Sequence, residues 1–383
     1  MTQTINKFDK LINELCPVGI EFKEFSEICN LRAGDRIIKS MMESNFEYPV
    51  MGGGTSPTGY YNRYNFENAI TISRAGSAGF VNWLPEKFWA TDVCFVATQK
   101  DEKVLIKYVY YFVKNESQNF KHHLYGGSMP KLDKAYLWKL PIPLPPIEIQ
   151  KEIVKILDAF TELEAELEAE LEARKEQYVY YYKKLLKGNE NINQITLDEV
   201  GKISMCKRIF KNETLAVGDV PFYKIGTFGK EPNAFISQKT YDEYRKKFSF
   251  PKKGDILLSA SGTIGRRVIY NGEPAYFQDS NIIWIDNNES KVLNKFLYYL
   301  YATVEWKTEG GTIQRLYNDN IKKIKIPLPS LQEQARIVLI LDKFDALVND
   351  ISIGLPAELN ARRKQYEYYR EKLLTFKEKT VTA

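Results

Sequence analysis

The segment IPLPPIEIQKEIVKILDAF at 142–160 recurs as IPLPSLQEQARIVLILDKF at 326–344. This repetition constrains the chain more than any other feature, because a self-similar sequence folds as copies of one unit. The offset is 184 residues; a second pair, ARKEQYVYYYKKLL at 173–186 and ARRKQYEYYREKLL at 361–374, is offset by 188, so the later copy holds an extra four-residue step. The likeness reaches into the stretches between: Ser73–Gly79 (SRAGSAG) matches Ser259–Gly265 (SASGTIG), and Tyr125–Leu132 matches Glu309–Leu316 as GG, hydroxyl, two variable residues, base, Leu. The repeated unit is therefore a whole domain plus a helix. A chain of 383 residues is long enough for two such cores.

Each copy has the same grammar. Short Ile, Val, Leu and aromatic runs punctuated by glycine, as in NAITISRAGSAGFVNW and GDILLSASGTIGRRVIY, predict strands joined by tight turns. Helical segments are predicted near 104–120 and 292–307. The IPLP segment then blocks helix and sheet alike, since its prolines remove donors and hold their neighbours extended. After it, Ile153, Leu157, Phe160, Leu163, Leu167 and Leu171 recur at three and four residues, the stripe of a long helix that needs a partner. Within it 162–173 is three copies of ELEA, each adding roughly 6 Å of helix. Their glutamates read as a solvated acidic face. In the second copy Gly354 and Pro356 break the helix, which resumes at about Pro356–Leu374. The expected fold is α+β: 1–146 an N-terminal segment and first β-rich domain, 147–190 a central spacer helix, 191–330 a second β-rich domain, and 331–383 C-terminal spacer helices. The long helices are expected to pack as an antiparallel coiled coil, giving a pseudo-two-fold internal repeat.

Charge is distributed unevenly. Residues 1–140 hold 17 basic and 15 acidic residues (+2) and 196–326 hold 21 and 15 (+6), whereas 141–195 hold 7 and 11 (−4). The positive charge thus sits on the globular segments, where a polyanion would dock. No window approaches the roughly 18 consecutive apolar residues of a membrane span, and the N-terminus lacks a secretion signal, so a cytoplasmic location is expected. Cys16, Cys29, Cys94 and Cys206 lack zinc-module spacing and read as buried thiols, and the only histidines, His122 and His123, do not favour one shared metal. No NPPY, GxxxxGK[ST] or HExxH motif occurs, and Gly52–Gly54 reads as a turn, which argues against catalysis, cofactor or metal on this chain.

Two copies related by a pseudo-two-fold axis across a helix pair match the two-fold axes of B-DNA. Each domain would read one half-site, and divergent domains imply an asymmetric, bipartite target with the helices as a ruler. The helical tyrosines Tyr178, Tyr180, Tyr181, Tyr182, Tyr366, Tyr368 and Tyr369 suit packing or a subunit interface better than base stacking; Tyr178, Tyr181, Tyr182, Tyr366 and Tyr369 are the interface candidates.

The duplicated IPLP and ARKEQY/ARRKQY blocks, the ELEA units and the stretch ISRAGSAGFVNWLPEKFWATDVC together resemble the specificity subunits of type I restriction-modification systems over essentially the whole chain. The resemblance implies two target recognition domains, at about 17–140 and 196–326, on a helical spacer. It also implies partners: double-stranded DNA, two modification subunits that methylate adenine from S-adenosylmethionine, and restriction subunits working with ATP and Mg2+. Loop residues able to reach phosphates and base edges are then Ser56, Thr58, Asn62, Arg63, Arg74, Ser77, Ser128 and Lys131 in the first domain. In the second they are Lys207, Arg208, Lys224, Thr263, Arg266, Thr312, Gln314 and Arg315. A stand-alone duplicated DNA-binding regulator is the alternative; an enzyme with unrecognised motifs ranks well below it, and a pure assembly adaptor is the reading if neither domain binds duplex DNA in a salt-dependent way.

Overall fold

A computed structural model describes residues 2–187, 192–309 and 314–379. The chain forms two compact units, one of Met1–Glu168 with Glu358–Ala383, the other of Ala169–Ala357. Both are built to one plan. In the first unit a four-stranded antiparallel sheet runs in the order Cys29–Ala33, Cys94–Gln99, Ala69–Ser73, Val81–Leu84. In the second the order is Lys202–Ser204, Ile282–Asp286, Ile256–Ser259, Arg267–Ile269. Each unit adds a three-stranded sheet with one parallel pairing at the same place, Tyr48–Met51 on Trp89–Ala90 and Val220–Tyr223 on Tyr276–Phe277. The central strands Ala69–Ser73 and Ile256–Ser259 are buried at every residue, which explains their continuous apolar runs.

The proline segments do more than block structure. Pro141–Pro143 pairs antiparallel with Phe22–Glu24, and Lys325–Pro327 with Gln194–Thr196. This corrects the expectation that the segment excludes a sheet: in a two-stranded ribbon both strands are edges, where a missing N–H can face away from the partner. The segment between the sheets and each ribbon carries the helices Ile106–Glu116 and Asn294–Leu300, shorter than the 104–120 and 292–307 expected.

The helices start at Ile147 and Leu331. Ile147–Lys187 is one continuous helix of 41 residues, about 60 Å long at 1.5 Å per residue. Its first part belongs to the first unit and its second part to the other. Ile153, Leu157 and Phe160 are buried in the first core beside Leu373 and Leu374 of the helix Leu355–Leu374. Phe160 meets the rings of Tyr366 and Tyr369, while Arg363 donates to Glu164 at 2.6 Å and to Glu168. The partner numbers fall as the spacer numbers rise, so this pair is antiparallel. In the second unit Tyr178 and Tyr181 stack on Phe344 while Leu186 is buried with Ile337 and Leu341, again an antiparallel pair, here with the helix Leu331–Asn349.

One detail differs from the sequence reading and a second makes it more specific. Glu164 and Glu168 are not merely solvated: their i,i+4 spacing brackets one guanidinium of the facing helix. The extra four-residue step lies between Phe344 and Ala361, where the chain leaves one helix at Asn349 and enters the next at Leu355. There the Asp350 carboxylate accepts from the Ser352 and Ile353 amides, and a Cβ at Gly354 would sit 2.3 Å from the Ala346 carbonyl oxygen. Pro356 is tolerated because it falls in the first turn, where amides lack helical acceptors.

Candidate nucleic-acid interface

Three loops converge in the first unit, held by backbone contacts that leave no room for side chains. A Cβ on Gly53 would lie 2.1 Å from the Ala75 carbonyl oxygen, and the Ser77 amide donates to the Gly53 carbonyl at 2.7 Å. Gly76 and Gly79 have positive φ angles, 80° and 87°, so glycine is what permits this turn. Ala75 bridges to Lys131, whose neighbour Leu132 donates to the Arg74 carbonyl at 2.9 Å. The structure therefore brings the loop of Ser56 and Thr58, the turn of Arg74 and Ser77, and the hairpin of Ser128 and Lys131 side by side. Ser56, Ser77 and Ser128 are exposed. Thr58 is partly committed, its hydroxyl donating to the Val50 carbonyl at 3.2 Å, and the Arg74 guanidinium lies 5.8 Å from the Phe95 ring centre. Asn62 and Arg63 are exposed just past the strand Tyr60–Tyr61.

The second unit repeats the join with different side chains. Ser261 bridges to Arg315, and Leu316 donates to the Ala260 carbonyl at 2.8 Å. Next to this join lies a cleft of about 300 Å³ lined by Arg208, Lys211, Lys224, Gln278, Asn281 and Arg315 among others. Lys211, Lys224 and Arg315 have no ion pair among the described residues, and the one carboxylate lining the cleft, Asp279, is paired with Arg208 at 2.8 Å, so cations outnumber anions there. Gln278 and Asn281 are oriented through their oxygens, which accept from the Ile225 amide at 2.9 Å and the Ser261 hydroxyl at 2.6 Å. That leaves the amide N–H groups as donors for a ligand. Ser280 between them adopts φ 54°, a conformation rare for a residue with a side chain.

The remaining candidates separate. Thr263 is exposed, Lys207 is exposed with its ammonium 5.3 Å from the Phe248 ring centre, and Gln314 is exposed and accepts from the Thr308 hydroxyl at 2.8 Å. Arg208 is paired with Asp279 at 2.8 Å, and Arg266 donates to the Phe228 carbonyl at 2.7 Å, which fixes a loop. Thr312, with the glycines before it, lies outside the described residues. Of the interface tyrosines, Tyr178 and Tyr182 pack against the second core and Tyr366 and Tyr369 against the first. Their positions follow the stripe that faces the neighbouring helix; Tyr181 is at its margin, partly exposed yet stacked on Phe344, and the outward rings are Tyr180 and Tyr368.

Sequence reasoning missed Lys211, Gln278 and Asn281, which reach the cleft from segments far apart in the chain. A signal existed: aligning the copies sets Gln278-Asp279-Ser280-Asn281 over Thr91-Asp92-Val93-Cys94, a divergent stretch around a shared aspartate. It also missed the helix Gln238–Lys247, inserted only in the second unit, whose last turn carries Arg245, Lys246 and Lys247. Among the described residues no group of three His, Cys, Asp or Glu side chains is placed to hold a metal ion, and no helix is long and apolar enough to cross a membrane. Burial pushes the thiols of Cys29, Cys94 and Cys206 up to about 12. Cations, amides and hydroxyls in loops are the chemistry of polyanion and base-edge recognition.

Comparison with known proteins agrees with that chemistry. The model of the type I restriction modification DNA specificity domain matches residues 17–173 and again 189–361. A putative type I restriction enzyme specificity subunit of Haemophilus influenzae is 50% identical over 372 residues, covering 93% of this chain and 96% of its own length. A type I restriction enzyme specificity subunit of Escherichia coli is 33% identical, covering 73% of each chain. Among solved structures, a type I restriction-modification system S subunit from M. genitalium superposes with a TM-score of 0.57 at 20% identity, over 93% of this chain and 96% of that one.

Proposed function

The chain belongs to the family of type I restriction-modification DNA specificity proteins, and from that premise we propose that it reads an asymmetric bipartite DNA site and directs partner subunits to it. Each globular domain reads one half-site, and the helices fix the spacing between them. Methyl transfer to adenine is the work of two modification subunits that bind S-adenosylmethionine. Cleavage is the work of restriction subunits using ATP and Mg2+. This chain carries no catalytic group of its own in that scheme and works in the cytoplasm.

The observation that carries the reading is the duplicated loop join: Ala75 to Lys131 and Ser261 to Arg315. The same backbone pairing presents different side chains in the two units, as expected if geometry is shared and the base sequence read is not. In the second domain Lys211, Lys224 and Arg315 would neutralise phosphates, and the amides of Gln278 and Asn281 are of the type that reads base edges.

Co-expression with a cognate modification subunit, followed by single-molecule sequencing of modified adenines, tests this. A bipartite motif with unlike halves is expected. Tight sequence-specific binding by the isolated chain with no methylation in the co-expressed complex would favour a stand-alone regulator instead.

A further inference from the structure

Each globular domain is fastened to its helix by polar contacts that recur, bond for bond, in both copies. The first fastener is a glutamine with no solvent exposure, Gln150 or Gln334, in the opening turn of the helix. The Gln150 Oε1 accepts from the Leu105 amide at 2.8 Å, and its Nε2 donates to the carbonyls of Lys103 at 3.0 Å and Pro145 at 2.8 Å. The Gln334 Oε1 accepts from the Leu293 amide at 2.8 Å, and its Nε2 donates to Lys291 and Pro329, both at 2.9 Å. Two turns on, Asp158 accepts from the Tyr111 hydroxyl at 2.5 Å and the Lys107 ammonium at 2.7 Å. Asp342 likewise accepts from the Tyr299 hydroxyl and from Lys295 at 3.2 Å. Burial, and then the adjacent carboxylate, push both phenols up, so each remains a donor across the working pH range.

The two fasteners grip one element of the globular domain, the helix Ile106–Glu116 or Asn294–Leu300 with the turn before it. A third contact from the opposite helix reaches the same element: Arg370 donates to the Asn115 side chain at 3.0 Å, and the Tyr182 hydroxyl to the Tyr299 carbonyl at 2.5 Å. Such duplication in parts that diverge elsewhere needs a reason beyond apolar packing. Packing is non-directional and permits small rotations, whereas a glutamine satisfied at three points has one geometry.

We propose that these fasteners are positioning residues that set which spacer lengths the protein accepts between half-sites. The inference rests on the proposed function above. Discriminating a spacer from one a base pair longer means resolving about 3.4 Å of rise and roughly 35° of twist. Fasteners eight residues apart along a helix are separated by about 12 Å. Play of roughly 0.5 Å in each hydrogen bond then allows a tilt of only about 2–3°, well inside that limit. With one fastener removed the pivot is single and the limit is lost.

The test uses the full chain in complex with its modification subunits and duplexes carrying the mapped site with its spacer lengthened or shortened by one base pair. Gln334→Leu combined with Asp342→Asn is expected to raise modification of the altered spacers relative to the native one by about tenfold, the equivalent of about 1.4 kcal/mol of lost discrimination. Discrimination against a mismatched base within either half-site is expected to stay as in the parent. If that variant does not fold, Tyr299→Phe, which keeps the ring, is expected to shift the same ratio in the same direction. An unchanged spacer ratio in a folded variant, or an equal loss of half-site discrimination, overturns the inference while leaving the function standing. A parent complex that modifies no bipartite site overturns both.

Discussion

Deleting the four residues Glu166–Ala169 removes one ELEA unit and shortens the spacer helix by about 6 Å while turning its two ends by roughly 40°. The structure says what this does to packing. Leu163, Leu167 and Leu171 are four residues apart, so deletion leaves a leucine at each remaining stripe position. Arg363 loses Glu168, and Glu172 moves into its place, because those glutamates share the same spacing. The exposed pairing with Arg363, about 0.2–1 kcal/mol, is thereby kept, and the turn between the facing helices, 350–354, has to take up the shortening. The variant is therefore expected to fold with a midpoint within a few degrees of the parent. Against about 3.4 Å per base pair, the mapped motif should keep both half-sites and lose one or two base pairs between them. Methylome sequencing of cells carrying the variant with its modification subunit reads this directly. A folded variant that modifies the parental spacer would refute the ruler; altered half-sites would show that the helix does more than set distance.

Lys211→Ala, Lys224→Ala and Arg315→Ala should each weaken DNA binding by the complex and reduce the slope of log affinity against log salt by about one; fluorescence anisotropy across a salt series measures it, and an unchanged slope removes that residue from the phosphate contacts. Leu341→Ala, at a site with no solvent exposure, should lower stability by about 2–5 kcal/mol in calorimetry, and a loss under 1 kcal/mol would mean the helix pair contributes less than its burial implies. At pH 8 a thiol held at about 12 is roughly one part in ten thousand thiolate. Mass spectrometry after brief alkylation of the native protein should therefore find label on Cys16 well before Cys29, Cys94 or Cys206.

The repeat and the apolar stripe were legible because they are local and periodic: Ile153, Leu157 and Phe160 announce a helix face without knowledge of anything else. Gly354 and Pro356 marked the broken helix for the same reason. What was not legible depends on a second segment. Glu164 and Glu168 look solvated until Arg363, almost 200 residues on, is laid across them. Gln278 and Asn281 look like turn residues until the Lys211 and Arg315 segments close a cleft around them. Arg208 and Arg266 have the composition of DNA contacts, yet Asp279 and the Phe228 carbonyl already hold them. Residue type nominates a contact; only the neighbours show whether the side chain is available.

The first unit is assembled from both ends of the sequence. The Ile20 amide donates to the Lys377 carbonyl at 2.9 Å, and Leu373 and Leu374 complete a core begun at Phe8 and Phe25. During synthesis the second unit, Ala169–Ala357, is complete before the first, although it is translated later. At about 5–20 residues per second, the apolar face of Ile153, Leu157 and Phe160 waits roughly 10 to 40 seconds for the residues that cover it. A ribosome stalled between the two units would thus hold a half-built domain with an open hydrophobic seam, a substrate for chaperones or for the matching helix of a neighbouring chain.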